Sequence, residues 1–198
     1  MNVLLETGSL TPDDLLNMKA EGTGFELVDG RLVEINRTIF SCLVSGQLFS
    51  FLTAHCQEHR LGWVFVQGLG FEWGPAAPNT VRKPDAAFIR RGRLPTSEWA
   101  EEFCHVVPDL AVEIVSPNDE FDEVDTKVEE YLRLGMHLVW VVSLETRQVY
   151  VHRRDGTITK LRDDGELSGE DVVPDFRCRV KDIFSVFEDV SPANGRRP

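Results

Sequence analysis

The amino-acid sequence predicts a mixed α/β or α+β domain in which helices flank a central mixed β-sheet. The first observation is a series of short apolar runs separated by Gly, Pro, Asn or Asp, namely WVFVQ, GFEW, DAAFI, LAVEIV, HLVWVVS, QVYVHR and TITKL. The second is a pair of helix-like segments, one before most of these runs and one among them. The third is a length of 198 residues with 42% hydrophobic residues and no break in composition, which predicts one domain over 1–190 and a loose tail over 191–198.

Helix signals occur early in the chain. A first helix is predicted to begin at Thr11, an N-cap residue followed by Pro12 in the first turn and by Asp14, whose charge suits the helix dipole. A longer helix is predicted from Thr38 to about His59, where no proline occurs and apolar side chains recur at helical spacing. Its predicted apolar stripe is Phe40, Leu43, Val44, Leu48, Phe51 and Leu52. We expect this helix to be the main one packed against the sheet.

Further helices are predicted within and after the strand-rich part of the chain. One runs from about Asp122 to Leu134, because acids at its start suit the dipole and Gly135 suits the left-handed residue that follows a helix. A loop and a short helix are expected around Ser97 to Phe103. The segment IFSVF (183–187) is predicted to be helical and is one candidate for a dimer interface.

The balance of charge limits the possible partners. The formal net charge is −12, from 21 Lys and Arg against 33 Asp and Glu. It repels polyanions at long range and argues against a general nucleic-acid binder that depends on counterion release. Contact with DNA would therefore be local, and the candidate is a basic stretch interrupted only by one acid, comprising Arg82, Lys83, Arg90, Arg91 and Arg93. Basic residues that flank a strand end in solvent explain this stretch about as well.

Cysteines and hydropathy indicate the compartment. The four cysteines lie far apart without a CxxC pair, so neither a zinc ribbon nor a disulfide framework is indicated, and we expect reduced, packed thiols. The N-terminus lacks the basic region and the long apolar stretch of a signal peptide. No run of about 18 apolar residues occurs, so no membrane span is predicted. We therefore expect a cytoplasmic protein without a membrane partner.

Glu113 is the residue that most suggests chemistry. It interrupts the apolar run LAVEIV, which proline bounds on both sides and which predicts an interior strand. Carboxylates are seldom fully buried without a partner, and an ionised one in this place would take up a proton or need a cation. Such burial is common at functional sites. A buried glutamate paired with a neighbouring arginine is the simpler alternative.

Asp85 is the second candidate carboxylate. It precedes Glu113 by 28 residues, which leaves room for a strand, a loop and a returning neighbour strand that brings the two together. Mg²⁺ binds hard oxygen ligands, commonly one or two carboxylates, with waters and substrate phosphate oxygens filling the remaining positions. We therefore predict Asp85 and Glu113 as ligands of Mg²⁺, for which Mn²⁺ can substitute. The backbone carbonyl of Ile114 is a further candidate ligand.

Lys127 is the candidate cation of the site. It follows Glu113 by 14 residues, on the predicted helix, and shares a helical face with Tyr131. An inward-pointing ammonium would orient the attacking water and offset the negative charge that develops on the scissile phosphate. The ordinary alternative is a surface lysine paired with Glu123 or Glu130.

These motifs together resemble a known family. The series FELVDGRLVE, VRKPDAAFI, PDLAVEIVSPND, KVEEYLRLG, HLVWVVSLETRQVYVHR and EDVVPDF is similar to that of the Uma-type putative restriction endonuclease family, of the PD-(D/E)xK nuclease superfamily. The similarity extends from about Leu10 to Phe187, in the family's order and spacing. It implies a restriction-endonuclease-like core and magnesium-dependent cleavage of DNA.

The resemblance also implies roles for single residues. Asp85 matches the aspartate of the family's PD motif, and Glu113 matches the acid of its second motif. The usual superfamily pattern has a lysine two residues after that acid, where this chain has Val115. The resemblance instead places the lysine on the following helix, at Lys127.

An N-terminal hairpin carries two further acids. It is predicted in GFELVDGRLVEI, because Asp29-Gly30 favours a tight turn between two alternating runs. Glu26 and Glu34 lie on its strands and match acidic positions of the family, where either could add a direct or water-mediated metal contact. The chain also departs from the family, because members often carry a histidine near the start of the long helix, where Ser41 stands here.

Three functional hypotheses follow. The favoured one is a metal-dependent endonuclease that hydrolyses phosphodiester bonds of DNA, as a homodimer, because double-strand cleavage usually needs two active sites. The second is a non-catalytic DNA-binding or protein-interaction module that retains the fold, which the acidic charge and the missing histidine favour. The third is a phosphodiesterase for RNA or a small nucleotide, for which the charge of −12 is a smaller handicap.

Overall fold

The computed structural model describes residues 9–117, 119 and 121–186, so the predicted tail over 191–198 lies outside the described residues. Within these ranges the helices are α1 Pro12–Asn17, α2 Ile39–Glu58, α3 Phe121–Leu134 and α4 Val180–Ile183. The strands of the same ranges are β1 Phe25–Val28, β2 Arg31–Glu34, β3 Gly62–Val66, β4 Gly70–Glu72, β5 Val81–Arg82, β6 Ala86–Arg90, β7 Phe103–Cys104, β8 Leu110–Val115, β9 Leu138–Ser143, β10 Gln148–Arg153, β11 Ile158–Leu161, β12 Glu166–Ser168 and β13 Arg177–Arg179.

The sheets give the mixed α+β class that the sequence predicts. A six-stranded sheet has the order β11-β10-β9-β8-β6-β3, in which β8 and β9 run parallel and the other neighbours antiparallel. A second sheet has the order β2-β1-β5-β4-β7, and β12 pairs with β13. The second sheet was not predicted, because β5 and β7 contain only two residues each and leave no alternating pattern to detect.

The N-terminal elements follow local sequence signals. Asp14 lies in a capping box at the start of α1, where the Thr11 hydroxyl accepts from the Asp14 N–H at 3.2 Å and the Asp14 carboxylate accepts from the Thr11 N–H at 2.8 Å. The β1–β2 hairpin turns at Asp29 and Gly30, whose φ angles of 48° and 76° suit a two-residue turn of type I′. Both predictions are confirmed.

The six-stranded sheet has two different faces. Alternate residues of a strand point to opposite sides, so Val112 lies in the core beneath α2 with Leu48 and Leu52. Its neighbour Glu113 points to the other side, where Tyr131 of α3 is buried. The apolar cluster under α2 and the helix α3 thus cover opposite faces of the central strands.

The predicted stripe of α2 is partly wrong. The residues of α2 that are buried are Ser41, Val44, Ser45, Leu48, Leu52 and Cys56. Phe40 and Leu43 remain 53% and 43% exposed. Apolar side chains occur on every side of this helix, so their spacing alone does not select the buried face. Among the described residues, α2 is also the helix whose length and composition would allow it to cross a membrane, a property that it shares with core helices of soluble proteins.

Two predicted short helices differ from the structure. The segment after β6 forms a 3₁₀ turn over Thr96–Ala100 and then β7, instead of a helix that reaches Phe103. The predicted helix over 183–187 is wrong in position, since α4 ends at Ile183. Ile183 and Phe184 are buried in the core beneath α2, so their side chains offer no exposed dimer interface, and Phe187 lies outside the described residues.

The cysteines are free thiols, as predicted. Cys56 and Cys104 are buried, and burial raises the pKa of the Cys56 thiol to about 11. Cys42 is exposed, so the expectation that all four thiols are packed is wrong for this residue.

Candidate active site

An acidic cleft of about 400 Å³ lies between the β1–β2 hairpin, the start of β6, the end of β8 and the first turns of α3. Acids outnumber bases in its lining by seven to three, which gives a formal charge of −4. The acids are Glu26, Glu34, Asp85, Glu113, Asp119, Asp122 and Glu123, and the bases are Arg82, Lys83 and Lys127. The three residues of the predicted catalytic set therefore share one cleft.

Asp85 stands at the start of β6 with both carboxylate oxygens held by donors. Its Oδ2 accepts from the Ile114 N–H at 2.7 Å, and its Oδ1 accepts from the Gln67 side-chain amide. Its own N–H donates to the Val112 carbonyl at 3.0 Å. Burial raises the pKa of Asp85, although these hydrogen bonds and Lys127 oppose the rise. The carboxylate is thus fixed against the end of β8.

The carbonyl of Ile114 faces the same side as Asp85. In a strand, the N–H and C=O of one residue point in the same direction, since antiparallel partners exchange both bonds. The Ile114 N–H donates to Asp85, which stands just before the first residue of β6. The Ile114 carbonyl is therefore directed toward the cleft, where the backbone pairing of β6 has ended.

Glu113 is buried and receives one donor on each oxygen. Lys127 Nζ donates to Oε2 at 2.9 Å, and the Tyr131 hydroxyl donates to Oε1 at 2.8 Å. Burial raises the pKa of Glu113 to about 7, and nearby Asp85 and Glu26 also raise it, while Lys127 opposes them. Burial thus favours the neutral form of Glu113 more than in an exposed glutamate.

Lys127 bridges two carboxylates. Its Nζ lies 2.9 Å from Oε2 of Glu113 and 2.9 Å from Oε1 of Glu26. Burial lowers the pKa of Lys127, but attraction to these two acids outweighs it and holds the pKa above its ordinary value. Lys127 is therefore a cation at neutral pH. Its partners are neither Glu123 nor Glu130, the residues that the alternative interpretation required.

Arg82 and Lys83 form the wall of the cleft. They are only 6% and 8% exposed, and protein groups already satisfy them. Arg82 pairs with Glu26 at 3.2 Å and with Glu130, while Lys83 Nζ donates to the Gly22 carbonyl at 2.9 Å. Glu26 also accepts from the Lys83 N–H at 2.6 Å, so its carboxylate joins both basic residues to Lys127. Burial raises the pKa of Glu26, but Lys127 and Arg82 outweigh it and lower the pKa overall.

The structure divides the basic stretch that the sequence suggested as a nucleic-acid contact. Arg90, Arg91 and Arg93 lie at the far end of β6, and a rise of about 3.4 Å per residue places Arg90 about 17 Å from Asp85 along the strand. Arg93 pairs with Asp109 at 2.8 Å, while Arg90 and Arg91 donate to backbone carbonyls. These residues form no single patch with Arg82 and Lys83.

The two remaining candidates have different positions. Glu34 is exposed on β2 and lines the outer part of the cleft. Ser41 lies in the capping box of α2, where its N–H donates to Thr38 Oγ1 at 3.0 Å and its Oγ accepts from the Thr38 N–H at 2.9 Å. The residue that stands where family members often carry histidine therefore stabilises the helix start.

The donor set of the cleft fits a hard divalent cation. Asp85, Glu113 and the Ile114 carbonyl present oxygen atoms, and each carboxylate keeps lone pairs beyond the donors that it already accepts. The negative charge of the cleft also favours a cation. No group of three or more His, Cys, Asp or Glu within the described ranges is arranged to enclose a metal ion. These oxygen donors suit Mg²⁺, whose shell waters and phosphate oxygens would complete.

Several contacts of the site were not predicted from the sequence. Tyr131 was placed on the face of Lys127, and this i+4 spacing is the signal that could have identified it as a donor to Glu113. Gln67 and Glu130 gave no such signal, because each contact joins elements far apart in the chain. Such contacts depend on how the strands and α3 pack together in the folded chain.

The fold and the site define a class of protein with a restriction-endonuclease-like, nuclease-type core. The chain belongs to the Uma2 family, described as "Putative restriction endonuclease", whose model matches residues 12–181. A crystal structure of a "putative nuclease belonging to DUF820" from Anabaena variabilis ATCC 29413 is similar to this chain, with a TM-score of 0.77 and 19% identity. The match covers 89% of this chain and 98% of the other, and at this identity it establishes the fold. No curated protein matches the chain.

Proposed function

We propose that the protein is a metal-dependent endonuclease that hydrolyses phosphodiester bonds of DNA. The observation that carries this proposal is the position of Lys127, whose ammonium lies 2.9 Å from Glu113 in the cleft that also contains Asp85. Membership of a family described as restriction endonucleases supports it. A structural ion pair alone would not require a second carboxylate, Asp85, at the same strand end.

Each residue of the cleft has a distinct role in this proposal. Asp85, Glu113 and the Ile114 carbonyl would hold Mg²⁺ or Mn²⁺. A bound divalent cation would supply charge neutralisation at the scissile phosphate and lower the pKa of a bound water. Lys127 orients the attacking water and offsets negative charge on the phosphate. Tyr131 keeps the Glu113 carboxylate in a fixed orientation through its hydrogen bond.

The charge of the cleft explains why metal and substrate would bind together. At a formal charge of −4, the lining repels phosphate unless a divalent cation is present. The substrate phosphate in turn completes the coordination of that cation. DNA cleavage should therefore require millimolar divalent cation and should fail in a chelator.

Cleavage of supercoiled plasmid and of a labelled linear duplex in Mg²⁺ or Mn²⁺ tests the proposal. Wild type should nick or cut both substrates, and Asp85→Asn should lose at least about 100-fold in rate, in the range observed when one group that stabilises charge is removed. Asp13→Asn is the matched control, because it removes an acid from the exposed first turn of α1. Equal rates for Asp85→Asn and Asp13→Asn would contradict the proposed site.

Cleavage of both DNA strands usually needs two active sites, and we therefore infer a homodimer as the active form. Sedimentation equilibrium of the full chain with a noncleavable duplex tests the stoichiometry. Two chains for each duplex are expected, whereas one chain for each duplex would remove the dimer from the proposal.

A second candidate, a non-catalytic module that retains the fold, is favoured by one specific observation. Glu26 and Glu113 are both paired with protein cations, Arg82 and Lys127, so their burial also has a structural explanation. For such a module, wild type and Asp85→Asn would bind DNA equally and neither would cleave it. The plasmid assay combined with a binding assay therefore separates the two candidates.

A further inference from the structure

A second pocket, of about 550 Å³, adjoins the cleft and is lined mainly by aromatic and aliphatic side chains. Trp63 and Phe65 of β3 form one wall, and Trp99 of the 3₁₀ turn over Thr96–Ala100 belongs to the opposite segment. Its volume lies within the range of pockets that bind small organic groups. The active-site network described above does not use this pocket, except for one residue.

Gln67 connects the pocket to the cleft. It lines the pocket, and its side-chain amide donates to Oδ1 of Asp85. In the antiparallel register, Val66 opposes Ala86, so Gln67 follows β3 at the position opposite Asp85. Trp63 and Phe65 share one face of β3, and Gln67 follows directly after the strand. The pocket thus begins one side chain from Asp85 and continues along β3.

The pocket lies beside an edge strand of the six-stranded sheet. In the six-stranded sheet, β3 is an edge strand and pairs only with β6. Trp99 is 67% exposed, an unusual position for the largest apolar side chain unless a partner covers it. A strand of nucleic acid that leaves the cleft past Gln67 would therefore follow β3 toward this pocket.

The charges of the pocket select the kind of group that enters. The only charged residues in its lining are Glu98 and Glu101. They repel phosphate, but a carboxylate accepts a hydrogen bond from an exocyclic amino group, as it does from cytosine N4. Flat aromatic walls stack with the face of a base. A neutral planar base with an amino group matches both properties.

We propose that this pocket binds one unpaired nucleobase with an exocyclic amino group, next to the phosphate held in the cleft. The assignment of a nucleobase depends on the nuclease function proposed above and requires that one base beside the cleaved phosphate be unpaired in the bound DNA. Trp99 stacks on the base, and Glu101 accepts from its amino group. Glu98 contributes at most its Oε1, because its Oε2 already accepts from the His105 N–H at 2.8 Å. An arginine side chain of a protein partner is the competing occupant, since aromatic rings and carboxylates also attract a cation.

Saturation-transfer NMR with free cytidine and free thymidine, without divalent cations, tests the pocket. Nucleosides carry no phosphate, so the acidic cleft does not repel them. Wild type should bind cytidine more tightly than thymidine, which lacks the amino group. Trp99→Ala should weaken cytidine binding roughly tenfold, and Trp99→Phe should retain most of it because a ring remains. Ile158→Ala is the matched control, since Ile158 is exposed on β11, which does not line the pocket.

The outcomes separate this proposal from the proposed nuclease function. Cleavage by wild type combined with equal cytidine binding by wild type and Trp99→Ala would overturn the pocket and leave the nuclease intact. Cytidine binding that depends on Trp99, without any metal-dependent cleavage, would leave a nucleobase site on a protein that is not a nuclease. Binding of an arginine-containing peptide, but of neither nucleoside, would overturn the pocket proposal in favour of a protein partner.

Discussion

The two faces of the six-stranded sheet use neighbouring residues of the same strands for different purposes. Val112 points into an apolar core beneath α2, whereas Glu113, the next residue, points toward α3 and a network of buried charges. The strand geometry is identical on both sides, because successive side chains simply alternate. On the face beneath α2, β8 therefore presents only apolar side chains, whereas on the α3 face it combines the apolar Ala111 with the buried acid Glu113.

The two faces of the sheet also differ in how they contribute to stability. Each large apolar side chain buried beneath α2 contributes roughly 1.5–3 kcal/mol through removal of its surface from water. On the α3 face, the attraction between Lys127, Glu113 and Glu26 offsets the cost of burying them, but well-packed apolar residues are often as stable as a buried ion pair. A function that needs these charges is therefore the physical reason that we propose for their presence.

The largest effect is expected for Lys127→Met. It removes the ammonium from the cleft, so the cleavage rate should fall by at least about 100-fold. It also leaves two buried carboxylates without their shared partner, and stability should fall by about 3–5 kcal/mol. Plasmid cleavage and urea unfolding measure the two effects. Lys181→Met, on the exposed side of α4, is the control. A cleavage rate within twofold of wild type would exclude Lys127 from the chemistry.

On the opposite face, Leu48→Ala should lower stability by about 2–5 kcal/mol through the cavity that it leaves beneath α2. The cleavage rate of each folded molecule should not change. Leu43→Ala lies on the exposed side of the same helix and should cost no more than about 0.5 kcal/mol. If Leu48→Ala lowered the cleavage rate under conditions in which the variant is fully folded, the two faces of the sheet would not act independently.

The pH dependence of stability should depend on Glu113. Its pKa in the folded protein is about 7, above its ordinary value of 4.5, so between these pH values the folded state binds more protons than the unfolded state. Stability from this group is complete below pH 4.5, falls as the pH rises, and reaches its lower level above pH 7. The fall should amount to roughly 3 kcal/mol. In Glu113→Gln, the free energy of unfolding measured in urea should no longer fall between pH 4.5 and 7. An unchanged dependence on pH would assign the effect to another group.

Tyr131→Phe should give the smallest of these effects. Loss of the hydroxyl leaves Glu113 Oε1 without its buried donor, and stability should fall by about 1–3 kcal/mol. The hydrogen bond favours the ionised carboxylate, so its loss should also move the pH profile of cleavage to higher pH. Tyr150→Phe, which removes a hydroxyl that contacts only Gln148, is the control. If the cleavage rates of Tyr131→Phe and Tyr150→Phe depended on pH in the same way, Tyr131 would have only a packing role.

The sequence predicts the parts of the site that depend on local patterns. The continuous apolar run LAVEIV identifies Glu113 as a buried acid, and helical spacing brings Lys127 to the inner face of α3. The turn signal at Asp29 and Gly30 correctly predicts the hairpin that carries Glu26.

The remaining features depend on contacts between distant segments. The burial of Arg82 follows from its pairs with Glu26 and Glu130, which are 56 and 48 residues away in the chain. No local pattern encodes such a pairing, and a basic stretch in the sequence is equally compatible with an exposed patch. The buried face of α2 cannot be predicted from the sequence for a different reason. Apolar residues occur on all sides of this helix, and only packing against the sheet determines which of them are buried.

Calorimetric titration of Mn²⁺ into the full chain and into Asp85→Ala tests most directly whether the charged face of the sheet is a metal site. The measurement needs no knowledge of the DNA sequence that is cleaved. We predict one binding event in wild type that is absent from Asp85→Ala. Equal binding by both proteins, or no binding by either, would contradict a metal site formed by Asp85, Glu113 and the Ile114 carbonyl.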